Sequence, residues 1–500
     1  MKPKDQLKYG AMLSYCSIAL NIVAGLLYTP WMIEQIGRSQ YGLFTLANSL
    51  ITLFLIDFGL SSATARYVSK YIAEGRQDRV DYFLGAIYQL YMVLDAVIFL
   101  VLLVIYLFLD RIYVKLTPAE LETFKVVYLI SAGFSVLNFP FVTLNGILTS
   151  YERFIPLKSA DVLYRLMVVG FTVMALLQGL GLYALVAVNA LCGLVITGYK
   201  LLAVKRGTPV RVKFGCADRA LYRDIFSFSL WVTAGTVAQR LVFTITPSIL
   251  GMTVDSAAIA VFGVVMTIEG YTYTVTGAIN GMFMPKIARM YTEDDGLRAL
   301  NRLAVAVGKF QFLLNALIVV GFAAVGRDFI RLWVGEGFRQ AYAGILLVSI
   351  PGLFYNALQI ANTAMVVQKK VRQQALITIV TGLVNLCLCP ILSLRFGVIG
   401  ACVSIFLAYT VRAALCHRVY RRMLQLDIAA LAKECYLKAV PPVAVTLAVG
   451  CGMNRLLDSV SWTAVAVKGT AVVLTFILSV VGAERLYRKA AERKEKREED

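Results

Sequence analysis

Long apolar runs constrain the fold of this chain more than any other feature. They are about 20 residues long, the length that crosses the hydrocarbon core of a membrane as a helix. Hydrophobic residues make up 59% of the 500 residues and charged residues only 16%, whereas soluble domains average about 25% charged residues. The sequence therefore predicts an all-α integral membrane protein with about fourteen transmembrane helices. The predicted spans are 11–31, 41–60, 83–109, 124–148, 161–179, 182–203, 226–250, 257–284, 303–325, 341–366, 374–394, 397–415, 436–456 and 463–484.

The formal net charge of +19 is explained by membrane topology rather than by nucleic acid. With the N-terminus placed inside, the segments between spans that face the cytoplasm carry roughly four times as many Lys and Arg residues as the outer segments. This bias predicts a multi-pass protein of the bacterial cytoplasmic membrane with both termini in the cytoplasm. No nucleic-acid partner is expected.

Cysteine usage and the N-terminus exclude several other classes. The nine cysteines show neither a disulfide framework nor a zinc spacing, so no metal or other cofactor is predicted. The first span exceeds a typical signal-peptide core and no small-residue cleavage site follows it, so it is predicted to stay in the protein.

The two halves of the chain resemble each other, which indicates a duplication. Four pairs of segments recur in the same order: Thr29-Pro30 and Thr246-Pro247 at span ends, 71–75 and 291–296, Asn145 and Asn362, and 181–185 and 397–401. Six helices in each copy return the chain to the same side, so the copies share one orientation and a pseudo-two-fold axis along the membrane normal. The predicted domains are a six-helix bundle at 1–205, a cytoplasmic linker at 206–224, a second bundle at 225–425, two extra helices at 426–484 and a charged tail at 485–500.

Several motifs resemble a known family. YGLFTLANSLITLFLIDFGLSSATARYVSKYIAEGR at 41–76 is similar to the second helix and following loop of the Wzx-type polysaccharide flippases. These belong to the multidrug/oligosaccharidyl-lipid/polysaccharide (MOP) exporter superfamily. Further motifs in the expected order are GLGLYALVAV at 179–188, IFSFSLWV at 225–232, PKIARMY at 285–291 and FIRLWVGEGF at 329–338.

The resemblance implies a MATE-like pair of bundles around a central cavity. It also implies an activity: moving polyprenyl-pyrophosphate-linked oligosaccharide, the repeat unit of O-antigen, capsule or exopolysaccharide, from the inner to the outer leaflet by alternating access. The expected partners are this substrate, membrane lipids, H⁺ or Na⁺ as coupling ion, and polysaccharide polymerase or other assembly proteins. No enzymatic activity is expected.

Arg240 lies near the middle of the seventh predicted span. An arginine at the bilayer centre costs roughly 2.5 to 3.5 kcal/mol even on insertion scales, so it is expected to face a cavity or a partner. Its planar guanidinium suits phosphate oxygens, and the resemblance implies that the seventh helix lines the cavity. Arg240 is therefore predicted to contact the substrate, the alternative being an internal ion pair.

Glu269 and Asp95 lie near the centres of the eighth and third predicted spans. Burial favours the protonated form of a carboxyl group, so both are candidates for proton or ion coupling. Pairing of Glu269 with Arg240 explains the sequence equally well.

Other polar residues in spans are weaker candidates. Asp161 and Arg165 are four residues apart and so lie on one helix face. The favoured interpretation is an interfacial ion pair, and the alternative is a site of headgroup entry and coupling. Tyr271 and Tyr273 offer aromatic faces to sugars, although tyrosines are also common at membrane interfaces. The remaining candidates for the cavity lining are Asn21 and Gln239, for which hydrogen bonds between helices are an equal alternative.

Three further cations, Lys309, Arg412 and Lys468, lie near the ends of predicted spans. They are expected to extend along the apolar surface towards water and to have no functional role.

Two other functions compete with lipid flipping. A multidrug or cation exporter of the same superfamily usually has twelve helices and an acidic pocket, whereas this chain has a deep arginine and a basic excess. A membrane enzyme of polysaccharide assembly needs a catalytic constellation, often on a long external loop. The chain offers none, and its one histidine, His417, lies among arginines at a cytoplasmic helix end.

Overall fold

The chain folds as two compact units of helices. The computed structural model describes residues 3–215, 230–231, 233–277, 283–291, 295–457 and 459–499. Within these residues there are helices and turns but no β-strand. The first unit comprises Met1–Gly263 and the second Val264–Asp500.

The first unit contains ten helices and the start of an eleventh among its described residues. Helix α1 packs on α7, α7 on α8, α2 on α5, and the short α6 on α3. The bounds are α1 Pro3–Ile36, α2 Arg38–Phe54, α3 Leu60–Ala73, α4 Gln77–Ile112, α5 Pro118–Asn138, α6 Thr143–Ser150, α7 Phe154–Leu177, α8 Gly181–Gly207, α9 at 233–240, α10 Thr246–Thr253 and α11 Ser256–Gly277.

The N-termini of α2, α5 and α11 are joined by hydrogen bonds at one end of the first unit. Thr117 and Glu120 form a capping box at the start of α5. The carboxylate of Glu120 also accepts hydrogen bonds from Ser39 on α2 and Ser256 on α11, each at 2.5 Å. Gly42 allows this approach, because a Cβ there would lie 2.0 Å from the Ser256 carbonyl oxygen.

The second predicted span is broken in the structure. Helix α2 ends at Phe54 and α3 begins at Leu60. Between them Phe58 and Gly59 adopt positive φ angles, and the Asp57 carboxylate accepts a hydrogen bond from the Gly59 backbone N–H at 3.1 Å. Non-helical backbone at membrane depth is typical of sites that line a cavity or lie buried in protein.

The second unit begins within α11 and contains eight further helices among its described residues. Helix α14 packs on α13 and α16, and α18 and α19 pack on each other and on α13. The bounds are α12 Met284–Met290, α13 Gly296–Val334, α14 Arg339–Asn356, α15 Gln359–Val367, α16 Val371–Leu424, α17 Ile428–Leu431, α18 Val440–Leu456 and α19 Trp462–Glu499.

Helix α16 consists of two helices joined at Gly397. Gly397 has φ 59°, outside helical geometry, and a Cβ on Gly400 would lie 2.0 Å from the carbonyl oxygen of Leu392. The Ser404 hydroxyl donates to the Asn385 side chain at 2.5 Å. The chain therefore reverses at Gly397, which is where the sequence separates two predicted spans.

The prediction of an all-α membrane protein is confirmed. Ten of the described helices are long and apolar enough to cross a membrane, and the bent pair Glu336–Asn356 and Gln359–Val367 makes eleven. The seventh predicted span, 226–250, lies partly outside the described residues and bends at 241–245 before α10. The number fourteen and the domain boundaries, including a linker that lies partly outside the described residues, stay predictions.

The pairs of segments in the two halves occupy similar local positions. Asn145 lies on the short helix α6 and Asn362 on the short helix α15. Gly181 starts α8 with φ 65°, and Gly397 starts the second part of α16 with φ 59°. One detail of the duplication is wrong: Thr29-Pro30 does not end a helix, because α1 continues to Ile36. The counterpart Thr246-Pro247 begins α10, where proline at the first turn leaves no backbone N–H unsatisfied,.

Candidate functional site

A polar cavity of about 540 Å³ lies within the first unit, between α1, α5, α7 and α8. Each helix contributes residues spaced for a single face: Ser17 and Asn21, Phe134 and Asn138, Ala160, Asp161, Tyr164 and Arg165, and Gly193, Ile196, Thr197 and Lys200. Spacings of three and four residues place side chains on one side of a helix. Three predicted site residues, Asn21, Asp161 and Arg165, therefore meet in one cavity.

Arg165 lies in this cavity without an ion-pair partner among the described residues. Its Nε is buried and has no hydrogen-bond partner among the described residues, and Arg165 makes no ion pair with any of them. Asp161, which shares its helix face, pairs instead with Lys158 at 3.5 Å. The expected ion pair between Asp161 and Arg165 is thus not formed.

The opposite wall is held by hydrogen bonds between helices. Lys200 on α8 donates to the Asn145 side chain at 3.0 Å, and Thr197 donates to Asn138 on α5. Lys200 lies within electrostatic range of Asp161. Because the lining carries two cations and one carboxylate, the cavity favours an anionic group.

Sequence reasoning missed Lys200, Thr197, Asn138 and Tyr164. The signal that reveals them is the helical period: Gly193, Thr197 and Lys200 mark a small and polar stripe on an otherwise apolar helix,. Lys200 lies near the end of the sixth predicted span, 182–203, and its position inside a cavity depends on the packing of α8 against α5 and α7.

Arg240 lies at a second site in the first unit, where two broken helices meet. It is the last residue of α9, before the non-helical turn at 241–245. Its guanidinium donates a hydrogen bond to the backbone carbonyl of Thr52, near the end of α2. The Asp57 carboxylate, in the break after α2, lies within electrostatic range. Gln239, its neighbour in the chain, is partly buried.

Asp95 lies on α4, and its Oδ1 is buried without a hydrogen-bond partner among the described residues. An unpaired buried carboxylate oxygen is costly unless the group takes up a proton or binds a cation. This geometry keeps Asp95 a candidate for coupling.

Glu269, Tyr271 and Tyr273 lie on α11 in the second unit. Glu269 is partly exposed and makes no ion pair with the described residues of its own unit. Tyr273, one turn further on, is 54% exposed, and Tyr271 is partly buried. The pairing of Glu269 with Arg240 joins residues of different units and stays a prediction.

The expectation for the cations near span ends is wrong for Arg412 and Lys468. Arg412 is only 8% exposed; it donates to the Tyr355 hydroxyl at 2.9 Å and stacks on the Tyr355 and Tyr409 rings. Lys468 is 3% exposed and pairs with Asp328 at 2.8 Å. Neither reaches water, because a neighbouring helix supplies aromatic faces or a carboxylate.

The fold is similar to that of solved membrane transport proteins. The chain is similar to lipid II flippase MurJ in an inward closed conformation, with a TM-score of 0.74 and 12% identity over 97% of this chain and 99% of that chain. It is also similar to a multidrug resistance MATE family transporter in an inward-facing conformation, with a TM-score of 0.70 and 13% identity over 87% and 99%. The chain thus shares its fold with a lipid flippase and with a transporter of the MOP superfamily.

A comparison of the sequence with protein families identifies the family of the chain. Residues 9–290 match the family described as polysaccharide biosynthesis protein, and the chain belongs to that family. A comparison with curated protein sequences finds no match. This family membership agrees with the resemblance seen in the motifs.

A third solved structure is also similar in fold to the chain. A MOP superfamily transporter from Pyrococcus furiosus aligns with a TM-score of 0.59 and 15% identity over 85% of this chain and 96% of that chain. It is described as having a binding pocket of reversed polarity that suggests a different function. Identities of this order show a shared fold alone.

Proposed function

We propose that this protein is a flippase for a polyprenyl-pyrophosphate-linked oligosaccharide. It moves this lipid from the inner to the outer leaflet of the bacterial cytoplasmic membrane by alternating access. The observation that carries the proposal is Arg165 in the cavity of the first unit, with a buried Nε that has no partner among the described residues. A guanidinium inside a membrane protein attracts an anion, and a pyrophosphate presents several oxygens in the geometry of its planar fork.

The charge of the cavity supports an anionic substrate over a cationic one. Arg165 and Lys200 outnumber Asp161 in the lining. A lipophilic cation would be repelled by the two basic groups and would compete with Lys158 for Asp161. The multidrug exporter is therefore the second candidate, and membership of the polysaccharide biosynthesis family argues against it.

In this proposal Arg165 and Lys200 bind the pyrophosphate. Asn21, Tyr164 and Asn138 offer hydrogen bonds to phosphate or sugar oxygens at the same cavity. Arg240 serves a different step: it holds the two helix breaks together through Thr52 and Asp57 until an anion competes for its guanidinium. Tyr273, which is exposed on α11, and Tyr271 supply aromatic faces for sugar rings.

Transport needs an energy source, and three carboxylates are candidates for H⁺ or Na⁺ coupling: Asp95, Asp161 and Glu269. In proteoliposomes, Asp95→Asn and Glu269→Gln are expected to lose dependence on an imposed pH or sodium gradient. Asp161→Asn tests the cavity residue in the same assay. Unchanged gradient dependence in all three variants would remove these carboxylates from coupling.

The test of the substrate class is direct binding. Farnesyl pyrophosphate is a soluble stand-in for the lipid, and farnesol is its uncharged control. The purified chain in detergent is expected to be stabilised against thermal unfolding by farnesyl pyrophosphate and not by farnesol or by a lipophilic cation. Stabilisation by the cation alone would favour the multidrug exporter.

The test of transport uses cells that depend on the protein for surface polysaccharide. Arg240→Ala is expected to insert into the membrane normally, to abolish surface polysaccharide and to accumulate inward-facing lipid-linked sugar. Arg395→Ala, at an exposed arginine before the Gly397 turn, is the matched control and is expected to behave as the unmodified protein. Normal translocation by Arg240→Ala would exclude Arg240 from the mechanism.

A further inference from the structure

A second cavity, of about 270 Å³, lies in the second unit and is distinct from every site described above. It forms where α13, the residues just before α18, and α19 come together. One part of its wall is charged and the other is apolar. The charged lining is Lys309, Glu434, Lys438 and Glu484, and the apolar lining includes Leu313, Pro442 and Val480.

The four charges form two ion pairs. Lys309 on α13 contacts Glu484 on α19 at 2.5 Å, and Lys438 contacts Glu434 at 2.6 Å. Lys438 also lies over the Tyr487 ring at 5.3 Å. The cavity thus presents two ammonium groups and two carboxylates with no net charge.

The cavity lies at the predicted level of the inner leaflet. Residues 434–438 lie at the start of the thirteenth predicted span, and Glu484 ends the fourteenth, just before the basic tail. Both spans lie outside the duplicated part of the chain. A cavity at this depth that is charged on one side and apolar on the other matches an amphiphile that lies along the membrane interface.

We propose that this cavity binds the headgroup of a membrane phospholipid that carries both a phosphate and a primary ammonium. The lysines Lys309 and Lys438 bind the phosphate, and Glu434 and Glu484 accept hydrogen bonds from the ammonium. The first carbons of the acyl chains lie on the apolar wall. This inference is independent of the substrate that the protein transports.

The chemistry of the lining selects this headgroup over other phospholipids. A primary ammonium has three N–H donors for the two carboxylates, whereas the quaternary ammonium of choline has none. A headgroup with a net negative charge, such as phosphatidylglycerol, satisfies the lysines but leaves both carboxylates facing an anion. Only a headgroup with both charges gives every charged residue an opposite partner.

Opening the two ion pairs to admit the lipid costs little. The side chains of Lys309 and Glu484 are 29% and 53% exposed, and those of Lys438 and Glu434 are 27% and 33% exposed. Ion pairs that are partly exposed contribute little to stability. A bound headgroup replaces each contact with a new one to phosphate or ammonium. The exchange therefore lets the lipid hold α19 against α13 without a buried unpaired charge.

The experiment measures lipid selectivity of the purified full chain in detergent. Phosphatidylethanolamine, phosphatidylcholine and phosphatidylglycerol with identical acyl chains are titrated while thermal unfolding and native mass spectra are recorded. We expect phosphatidylethanolamine to bind about tenfold more tightly than phosphatidylcholine, the equivalent of one charge-assisted hydrogen bond. Equal binding of the two lipids, or tighter binding of phosphatidylglycerol, would overturn the proposal.

A double variant and a single control variant sharpen this test. Glu434→Gln with Glu484→Gln leaves two unpaired lysines, and selectivity is expected to change from phosphatidylethanolamine to phosphatidylglycerol. Glu122→Gln removes an exposed carboxylate that pairs with Lys125 in the first unit, and it is expected to leave the selectivity unchanged. Retained preference for phosphatidylethanolamine in the double variant contradicts the site. If that variant fails to fold, the lipid selectivity of the unmodified chain alone supports or overturns the proposal.

Discussion

The two units place arginines of their helices in different environments. In the first unit, Arg165 lines a cavity and makes no ion pair with the described residues. In the second, Arg412 is enclosed by tyrosines, with its guanidinium 4.2 Å from the centroid of the Tyr355 ring and hydrogen-bonded to the hydroxyl of the same residue. The difference teaches that a cation supplied with protein partners supports the fold, whereas a cation left facing a cavity is available to a ligand.

The same contrast extends to the lysines. Lys468 is buried against Asp328 between α19 and α13, and Lys200 reaches the cavity of the first unit, where its partner is the neutral side chain of Asn145. Four substitutions test the comparison, each in a different environment.

The largest effect is expected for the buried ion pair. Lys468→Met leaves the Asp328 carboxylate without its partner in a largely buried position, which typically costs about 3 to 5 kcal/mol. The measurement is the unfolding midpoint in detergent. The double variant Lys468→Met with Asp328→Leu is the control and should recover most of this loss, since it removes both charges. An unstable double variant would show that α13 and α19 require the ion pair between Asp328 and Lys468 for their stable packing.

Removal of the enclosed arginine is expected to have the next largest effect. Arg412→Ala deletes a side chain packed on two tyrosine rings, with an expected loss of about 2 to 4 kcal/mol in unfolding free energy. Arg412→Lys should lose less, because it keeps the charge near the rings. Translocation per folded molecule should be unchanged in both variants. A stable Arg412→Ala protein that does not translocate would contradict a purely structural role, because Arg412 would then act on the ligand.

The cavity arginine should show the reverse pattern, with altered function and unaltered stability. A charge-assisted hydrogen bond contributes about 1.5 to 3 kcal/mol, so Arg165→Ala is expected to weaken binding of farnesyl pyrophosphate by roughly 10- to 150-fold. Arg165→Lys should retain part of the affinity, since it keeps the charge and loses the planar fork. A large fall in the unfolding midpoint with unchanged binding would place Arg165 among the structural cations.

The smallest effect is expected at a lysine whose two carboxylate partners are exposed. Lys125 contacts Asp110 at 2.8 Å and Glu122 at 3.3 Å in the first unit, and solvent screens such contacts. Lys125→Met should change neither the unfolding midpoint nor translocation beyond experimental error. A measurable loss of either would mean that a cation with exposed partners can still be important in this protein.

Much of the fold can be predicted from the sequence, because crossing a membrane imposes a length and a composition on each helix. The apolar runs predict the spans, and Gly397 marks the chain reversal within α16. The break between α2 and α3 and the turn before α10 are harder to predict. An interruption of a few residues, such as the one around Asp57, hardly changes the hydropathy of a window long enough to span a bilayer.

The sequence alone determined that charged residues lie inside helices of a membrane protein, and their spacing gave the helix face for Asp161 and Arg165. The tertiary structure decided what each face meets. Arg165 and Arg412 both lie in apolar helices, yet one faces a cavity and the other faces Tyr355. The physical reason is that the helical period fixes the direction of a side chain within its own helix, whereas the partner comes from packing between segments far apart in the chain.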